Sequence, residues 1–341
     1  MLEKIKIGIS HGDINSISYE VILKTILDKR ITDICTPIIY GSPKVAAYHK
    51  NVLDLELLSL NNISSISQAN PKRINIIDCF DEELKVELGL STEIAGKASF
   101  IALEKAVSDL KEGNIDVLIT GPINKDNIQS EQFSFPGHTE FLKERLEAEE
   151  VLMFLVSDDL RVGVVTGHIP VSQVSESITK ELILQKLNIM NKALVEDFGI
   201  KKPKIAVLGL NPHAGDKGLI GSEEIELITP AINEARDKGI MALGPFPADG
   251  LFGSGDYTKY DAILAMYHDQ GLAPFKALSF DKGVNYTAGM SAIRTSPAHG
   301  TAYDLAGKNM ASIESFKAAL YLAIDNFRKR KSYKELSRNS I

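Results

Sequence analysis

The sequence predicts an α/β protein with a largely parallel sheet, and three observations carry that expectation. Short apolar runs recur along the chain, amphipathic helical stripes lie between them, and the two alternate. A length of 341 residues, with 44% hydrophobic and 24% charged side chains, is ordinary globular composition. It suggests two domains of roughly 100 to 200 residues each.

A run of four to six apolar residues ending in Gly, Pro or a polar residue reads as a buried strand. Such runs fall at 5–9, 37–40, 74–77, 117–120, 151–156, 162–166, 205–208 and 262–266. Between them Ile183, Leu187, Met190, Leu194 and Phe198 recur at steps of three and four, which places them on one helical stripe. Comparable stripes run from Phe100 to Leu110 and from Phe316 to Ile324. Ser222 followed by Glu223 and Glu224 reads as a helix start, since a hydroxyl can cap free amides and acids suit the positive end. No internal repeat and no low-complexity linker divides the chain. The segments 130–137 and 283–296 are the places for it to cross between lobes, giving a central domain of residues 131–294 inserted into a terminal domain made from 1–130 and 295–341.

The formal charge of −7, from 38 basic and 45 acidic side chains, creates no field that would recruit nucleic acid by counterion release. Arg328-Lys329-Arg330-Lys331 reads as the solvated end of a terminal helix, where cations suit the dipole. Cys35 and Cys79 stand in separate segments without metal-like spacing, which argues against a disulfide framework and suits a reducing cytosol. The start Met1-Leu2-Glu3-Lys4-Ile5 passes directly into a strand pattern, and no apolar stretch approaches the roughly 18 residues needed to span a bilayer. A cytoplasmic protein with no nucleic-acid or membrane partner is expected.

Three histidines follow strand-like runs: His168 after Val164-Val165-Thr166-Gly167, His213 after Leu210-Asn211-Pro212, and His268 after Met266-Tyr267. In parallel α/β sheets ligands gather beyond the carboxyl ends of strands, so three imidazoles delivered there can share one divalent cation. Neutral imidazole suits zinc and its neighbours, and three protein ligands leave a position open for water or substrate. The alternative is three separate surface or hydrogen-bonded histidines.

Other segments carry polar chemistry. Phe135-Pro136-Gly137-His138-Thr139-Glu140 has a tight turn that can aim His138, Thr139 and helix amides at an anion, or can be a plain capped turn. Asn211-Pro212-His213-Ala214-Gly215 runs into Gly218 and Gly221, yet it is neither a Walker loop nor a GxGxxG fingerprint. Asp269 stands beside His268 as a supporting partner or a cap. Lys276, Asn285 and Arg294 fall at nine-residue intervals, and the two cations could clamp a phosphate or carboxylate, or could be solvated charge.

Together these segments resemble the 4-hydroxythreonine-4-phosphate dehydrogenase family of vitamin B6 biosynthesis. The resemblance runs through Gly121-Pro122-Ile123-Asn124-Lys125, Pro136-Gly137-His138-Thr139-Glu140, Thr166-Gly167-His168, Asn211-Pro212-His213-Ala214-Gly215, Pro247-Ala248-Asp249 and Tyr267-His268-Asp269-Gln270-Gly271. It continues through Gly283-Val284-Asn285 and Ile293-Arg294-Thr295 to the segment from His299 to Gly307. It implies the two-domain α/β/α architecture of isocitrate and isopropylmalate dehydrogenases, which explains the missing GxGxxG. It implies that His168, His213 and His268 bind a divalent metal (zinc, with magnesium or cobalt as alternatives), one histidine coming across a homodimer interface. His138, Thr139, Lys276, Asn285 and Arg294 would contact substrate, with Lys276 also a candidate acid or base. Gly300, Thr301 and Asp304 would hold the adenosine of NAD or NADP.

One segment departs from that family. It opens with Gly-Asp-Pro-Ala-Gly-Ile-Gly-Pro-Glu, whereas this chain reads Gly12-Asp13-Ile14-Asn15-Ser16-Ile17-Ser18-Tyr19-Glu20. Losing two glycines restricts φ > 0, so another loop path is expected, bearing on cofactor affinity or substrate preference.

The activity implied is oxidation of 4-phosphooxy-L-threonine to 2-amino-3-oxo-4-phosphooxybutanoate, which decarboxylates to 3-amino-2-oxopropyl phosphate. The same fold could act on threonate or erythronate 4-phosphate. A three-histidine site also activates water, so a nicotinamide-independent hydrolase or aldolase is an alternative. The altered first loop leaves open a ligand-binding protein without catalysis.

Overall fold

The computed structural model describes residues 4–279 and 281–338. Met1, Leu2 and Glu3 of the expected amino-terminal run lie outside them. The chain divides into two compact units, Met1–Ala148 with Ser291–Phe327 and Glu149–Met290 with Arg328–Ile341.

Strands β1 (Ile5–Ser10), β2 (Cys35–Gly41), β3 (Leu60–Ile63), β4 (Ile74–Asp78) and β5 (Val117–Thr120) belong to the first unit. The second holds β6 (Leu152–Val156), β7 (Arg161–Val164), β8 (Lys204–Leu208), β9 (Met241–Phe246), β10 (Ala262–Ala265) and β11 (Val284–Ala288). The last strand, β12 (Ile293–Pro297), returns to the first unit.

In the first unit the strand order is β3-β4-β2-β1-β5-β12, with every neighbouring pair parallel. Strands covered on both faces need continuous apolar runs, and Ile7, Ile9, Ile38, Ile39, Val117, Leu118 and Ile119 are wholly buried. The chain leaves β1 toward β2 on one side, while β5 lies on the other. That reversal splays apart the loops after β1 and β5, the place where open parallel sheets bind ligands.

The second unit runs β11-β6-β7-β10-β8-β9. β6 is antiparallel to both neighbours, whereas β7, β10, β8 and β9 are parallel. The largely parallel α/β class is therefore observed in both units.

All eight expected strands form, and four were not anticipated. β3 carries Asn61 and Asn62 at its centre and β9 carries Gly244-Pro245, so neither reads as an apolar run. Each ends its strand order, where such residues are tolerated. β11 and β12 occupy the segment 283–296, read from the sequence as a crossing between lobes rather than as strands.

The helical stripes fold as expected, except that Phe198 lies two residues beyond the end of its helix. Glu93–Lys111 is capped by Thr92, and Lys180–Glu196 by Thr179, each hydroxyl accepting an amide of the first turn. Ile183, Leu187, Met190 and Leu194 are all fully buried. Two further details differ. The segment after Ser222 opens with a π turn, Glu224–Ile228, whose cap residue Glu223 makes no capping bond. Its acids reach elsewhere, as described below. The basic run 328–331 lies inside the helix Glu314–Arg338, and Arg330 is not solvated. It pairs with Asp197, while Arg328, Lys329 and Lys331 stay exposed.

Candidate functional site

β7, β10 and β8 are adjacent and parallel, so their carboxyl ends open on one edge of the second unit's sheet. His168 follows β7, His213 follows β8, and His268 opens the helix His268–Ser279 directly after β10. The rings of His168 and His268 lie 5.5 Å apart, centroid to centroid. His268 Nδ1 is 2.6 Å from Asp269 Oδ1, so a carboxylate fixes one ring nitrogen and the other is left for a ligand.

His213 is exposed and stands first in a left-handed turn, with φ of 54°, 51°, 78°, 42° and 58° for residues 213–217. Only Gly215 among these escapes the Cβ clash, which costs roughly 1–2 kcal/mol for each of the others. Buried Glu224 holds the turn: its Oε1 accepts from Leu210 N and Asn211 N, both at 2.7 Å, and its Oε2 from Asn211 Nδ2 at 3.0 Å. Glu223 accepts from the same amide at 2.7 Å. A Cβ at position 215 would sit 2.5 Å from Glu224 Oε2, which is why glycine stands there.

The strand exits are tied to one another. Thr166 donates through its hydroxyl to Met266 O at 2.8 Å. Gln270 accepts from Met266 N and donates to Gly209 O, each at 2.7 Å. The structure thus brings His168 and His268 together. Among the described residues, however, no three His, Cys, Asp or Glu side chains of one chain are grouped to hold a metal, and His213 does not join the pair.

Lys276 is exposed in the last turn of the helix that His268 opens. Asn285 lies on β11 opposite Leu155, and its Oδ1 is buried without a hydrogen-bond partner.

The other expected residues are in the first unit. His138 and Thr139 open the helix His138–Arg145 behind Gly137. Arg294, on β12, is only 1% exposed, and its guanidinium donates to Thr120 Oγ1 at 2.6 and 3.2 Å. Burial lowers the Arg294 pKa to about 10, against the pull of Glu140. Burial, then Arg294 and Lys125, hold His138 well below the usual histidine range, and its Nε2 is buried without a partner. A cationic Arg294 and Lys125 beside a neutral His138 make this group receptive to an anion. Gly300 and Asp304 are exposed, and Thr301 O accepts from Ile17 N at 3.2 Å.

The sequence alone assigns no role to Thr120, Lys125 or Gln270, and reads Glu224 as an acid suited to the positive end of a helix. Lys125 and Gln270 lie in Gly121-Pro122-Ile123-Asn124-Lys125 and Tyr267-His268-Asp269-Gln270-Gly271, each five residues past a strand end, and that placement is the available signal.

The profile of the family described as "Pyridoxal phosphate biosynthetic protein PdxA" matches residues 33–323. This chain belongs to that family. A PdxA relative from Bacteroides thetaiotaomicron, named 4-hydroxythreonine-4-phosphate dehydrogenase, is 56% identical over 99% of this chain and 93% of its own. A relative from Oceanobacillus iheyensis, named putative D-threonate 4-phosphate dehydrogenase, is 37% identical over 95% of this chain and 98% of its own. The crystal structure of 4-hydroxythreonine-4-phosphate dehydrogenase from Klebsiella pneumoniae superposes with a TM-score of 0.81 at 32% identity, covering 96% of this chain and 98% of that one. Isocitrate dehydrogenase from Methylococcus capsulatus, at 11% identity and a TM-score of 0.50 over 98% of this chain and 89% of that one, shares the fold alone. The architecture is therefore that of the isocitrate dehydrogenase type. The relatives' names make this a family of dehydrogenases, of which the chain is a member.

Proposed function

We propose that this PdxA-family chain oxidises 4-phosphooxy-L-threonine to 2-amino-3-oxo-4-phosphooxybutanoate, which loses carbon dioxide to give 3-amino-2-oxopropyl phosphate, in pyridoxal phosphate biosynthesis. The observation that carries the reading is the exit of His168, His268 and His213 from three adjacent parallel strands. The donor set fits a divalent cation, zinc before magnesium or cobalt, because three neutral imidazoles are borderline-soft ligands. A second copy of the chain completes the set. His213 is exposed on its turn, and Leu219, Ile220 and Ile225, which follow it, are exposed apolar side chains suited to a homodimer interface.

A cation held by these histidines supplies Lewis acidity at the substrate's secondary hydroxyl and, after oxidation, at the new carbonyl. NAD, or NADP, supplies the hydride acceptor when bound on Gly300, Thr301 and Asp304. The exposed Asp304 carboxylate fits a ribose diol and favours NAD, since a 2′-phosphate there would meet like charge. Arg294 and neutral His138, with the Thr139 hydroxyl, bind the substrate's anionic group. The unpartnered Oδ1 of Asn285 accepts from its amino or hydroxyl group. Lys276 takes the hydroxyl proton as hydride leaves carbon, and returns a proton to carbon after carbon dioxide departs.

The name of the Oceanobacillus relative favours a second reading, oxidation of threonate 4-phosphate, with erythronate 4-phosphate as its near variant. We assign the chain to the cytoplasm, since two cysteines in separate segments without metal-like spacing suit a reducing compartment. The test is a substrate panel followed by reduced nicotinamide, with and without chelator. The reading expects chelator-sensitive turnover of 4-phosphooxy-L-threonine. Turnover of a sugar-acid phosphate alone overturns it in favour of the second reading, and metal-dependent phosphate release without NAD overturns both.

A further inference from the structure

The loop after β1, residues 12–20, is held by its own side chains. Within residues 12–20 only Gly12 has positive φ, at +70°, so Ser16 and Ser18 are unstrained. Ser16 Oγ donates to Asp13 O at 2.7 Å and accepts from Ser18 N at 3.0 Å, and Ser18 Oγ bonds His11 O.

Asn15 is fully buried and every one of its polar groups is used. Its N–H donates to Asp13 Oδ1 at 2.8 Å, and its carbonyl accepts from Gly89 N at 2.8 Å. Its side-chain oxygen accepts from Glu87 N at 2.7 Å, and its amide donates to Leu90 O and Thr92 Oγ1, both at 3.0 Å. Asp13 Oδ2 in turn accepts from Tyr303 Oη at 2.8 Å and Asn127 Nδ2 at 2.9 Å, while Ile17 N donates to Thr301 O. The segments touch directly as well: a Cβ on Gly89 would lie 3.1 Å from Tyr303 O, and one on Gly307 2.6 Å from Leu88 Cδ1. Three segments, 12–17, 87–92 and 301–307, are thereby locked around Asn15. They stand beside the reversal of strand order between β1 and β5.

We propose that Asn15 is a positioning residue for the dinucleotide: it presets the Thr301–Asp304 backbone from the opposite side of the loop junction, without touching the ligand. The inference rests on the reading that a nicotinamide dinucleotide binds that turn. Presetting a loop removes the ordering cost of binding, so losing the lock weakens affinity for that one ligand.

The experiment compares the wild-type chain with Asn15→Ala and Tyr303→Phe by calorimetric titration with NAD and with 4-phosphooxy-L-threonine, alongside metal content and melting temperature. A folded Asn15→Ala is expected to bind NAD at least ~10-fold more weakly, with metal content and substrate affinity unchanged. Tyr303→Phe, which keeps the ring and loses the hydroxyl's bonds to Asp13 and Asn127, is expected to lose about threefold and decides the matter if Asn15→Ala does not fold. Unchanged NAD affinity in the variants, or equal losses for NAD, substrate and metal, overturns the inference alone. A wild-type chain that binds no nicotinamide dinucleotide overturns the parent reading and the inference together.

Discussion

Gln270 Nε2 donates to the Gly209 carbonyl at 2.7 Å, which bridges the exit of β10 to the exit of β8 through one side chain. The same amide's oxygen holds Met266 N, so Gln270 fixes the backbone that presents His268 and the backbone that leads to His213. Partners one step behind a metal's ligands typically govern affinity by 10–100-fold. On the proposed reading that these histidines hold a metal, Gln270→Ala is expected to weaken its binding by about that factor, measured by competition with a chromogenic chelator. Gln270→Glu retains an acceptor for Met266 N but loses the donor to Gly209, and an intermediate loss is expected. Wild-type affinity in both variants would show that the bridge is only structural.

Arg294 is held by Thr120 in one orientation, so its value to an anion lies in a preset fork rather than in charge alone. Arg294→Lys keeps the charge and is expected to raise KM for the phosphorylated substrate about tenfold, and Arg294→Ala about 100-fold, with NAD affinity unaffected. Equal KM values for the two variants, at any level, would mean that the fork geometry is irrelevant.

The helical stripe through Ile183 and Met190 and the central strands were legible because their burial demands apolar spacing that no function disturbs. The histidine positions were legible for a related reason: a strand announces its own end, and His168, His213 and His268 each follow one. Sequence could not reveal that β7, β10 and β8 are neighbours, since sheet order is set by long-range packing. Nor could it reveal that Glu224 turns back to the His213 loop, because a carboxylate at a helix start reads as a dipole partner. Arg330 misled for the complementary reason. Its neighbours are solvated, and only the fold shows that Asp197 waits behind it.

Buried imidazoles in the first unit set an acid limit on stability. Burial pushes His11 down to about 3 and His49 to about 4, the latter despite its bond to Ile14 O. Both are neutral in the folded chain, whereas the unfolded chain takes up their protons as pH falls below about 6.5. The unfolded state then binds more protons, so stability declines with falling pH at about 1.4 kcal/mol per unit for each histidine, until His49 near 4 and His11 near 3 protonate in the fold. His11 stacks on Tyr19 at 5.4 Å and both its ring nitrogens lack partners, so His11→Phe can keep the stack without the proton. Urea unfolding of His11→Phe between pH 4 and 6.5 should give a shallower slope than wild type. Identical slopes would mean that His11 is protonated in the fold.

The ion pair between Arg330 and Asp197 predicts an asymmetric response to mutation. Arg330 Nε and Nη2 donate to the two carboxylate oxygens at 2.5 and 2.9 Å, and Nη1 donates to Met290 O at 3.2 Å. Tyr286 Oη also donates to Asp197, and burial, then Asp197, raises its pKa well above the ordinary tyrosine value, so it remains a donor. Tyr286 is on β11, one residue from Asn285, and the network therefore fixes the strand that presents a proposed substrate contact. Removing one partner strands a buried charge, and Arg330→Ala is expected to cost about 3–5 kcal/mol. Replacing the group together, Arg330→Met with Asp197→Leu and Tyr286→Phe, removes the desolvated charges along with their partners and should recover most of that loss. Chemical unfolding measures both. If the triple variant is as unstable as Arg330→Ala, the network contributes net stability and is more than a register device for β11.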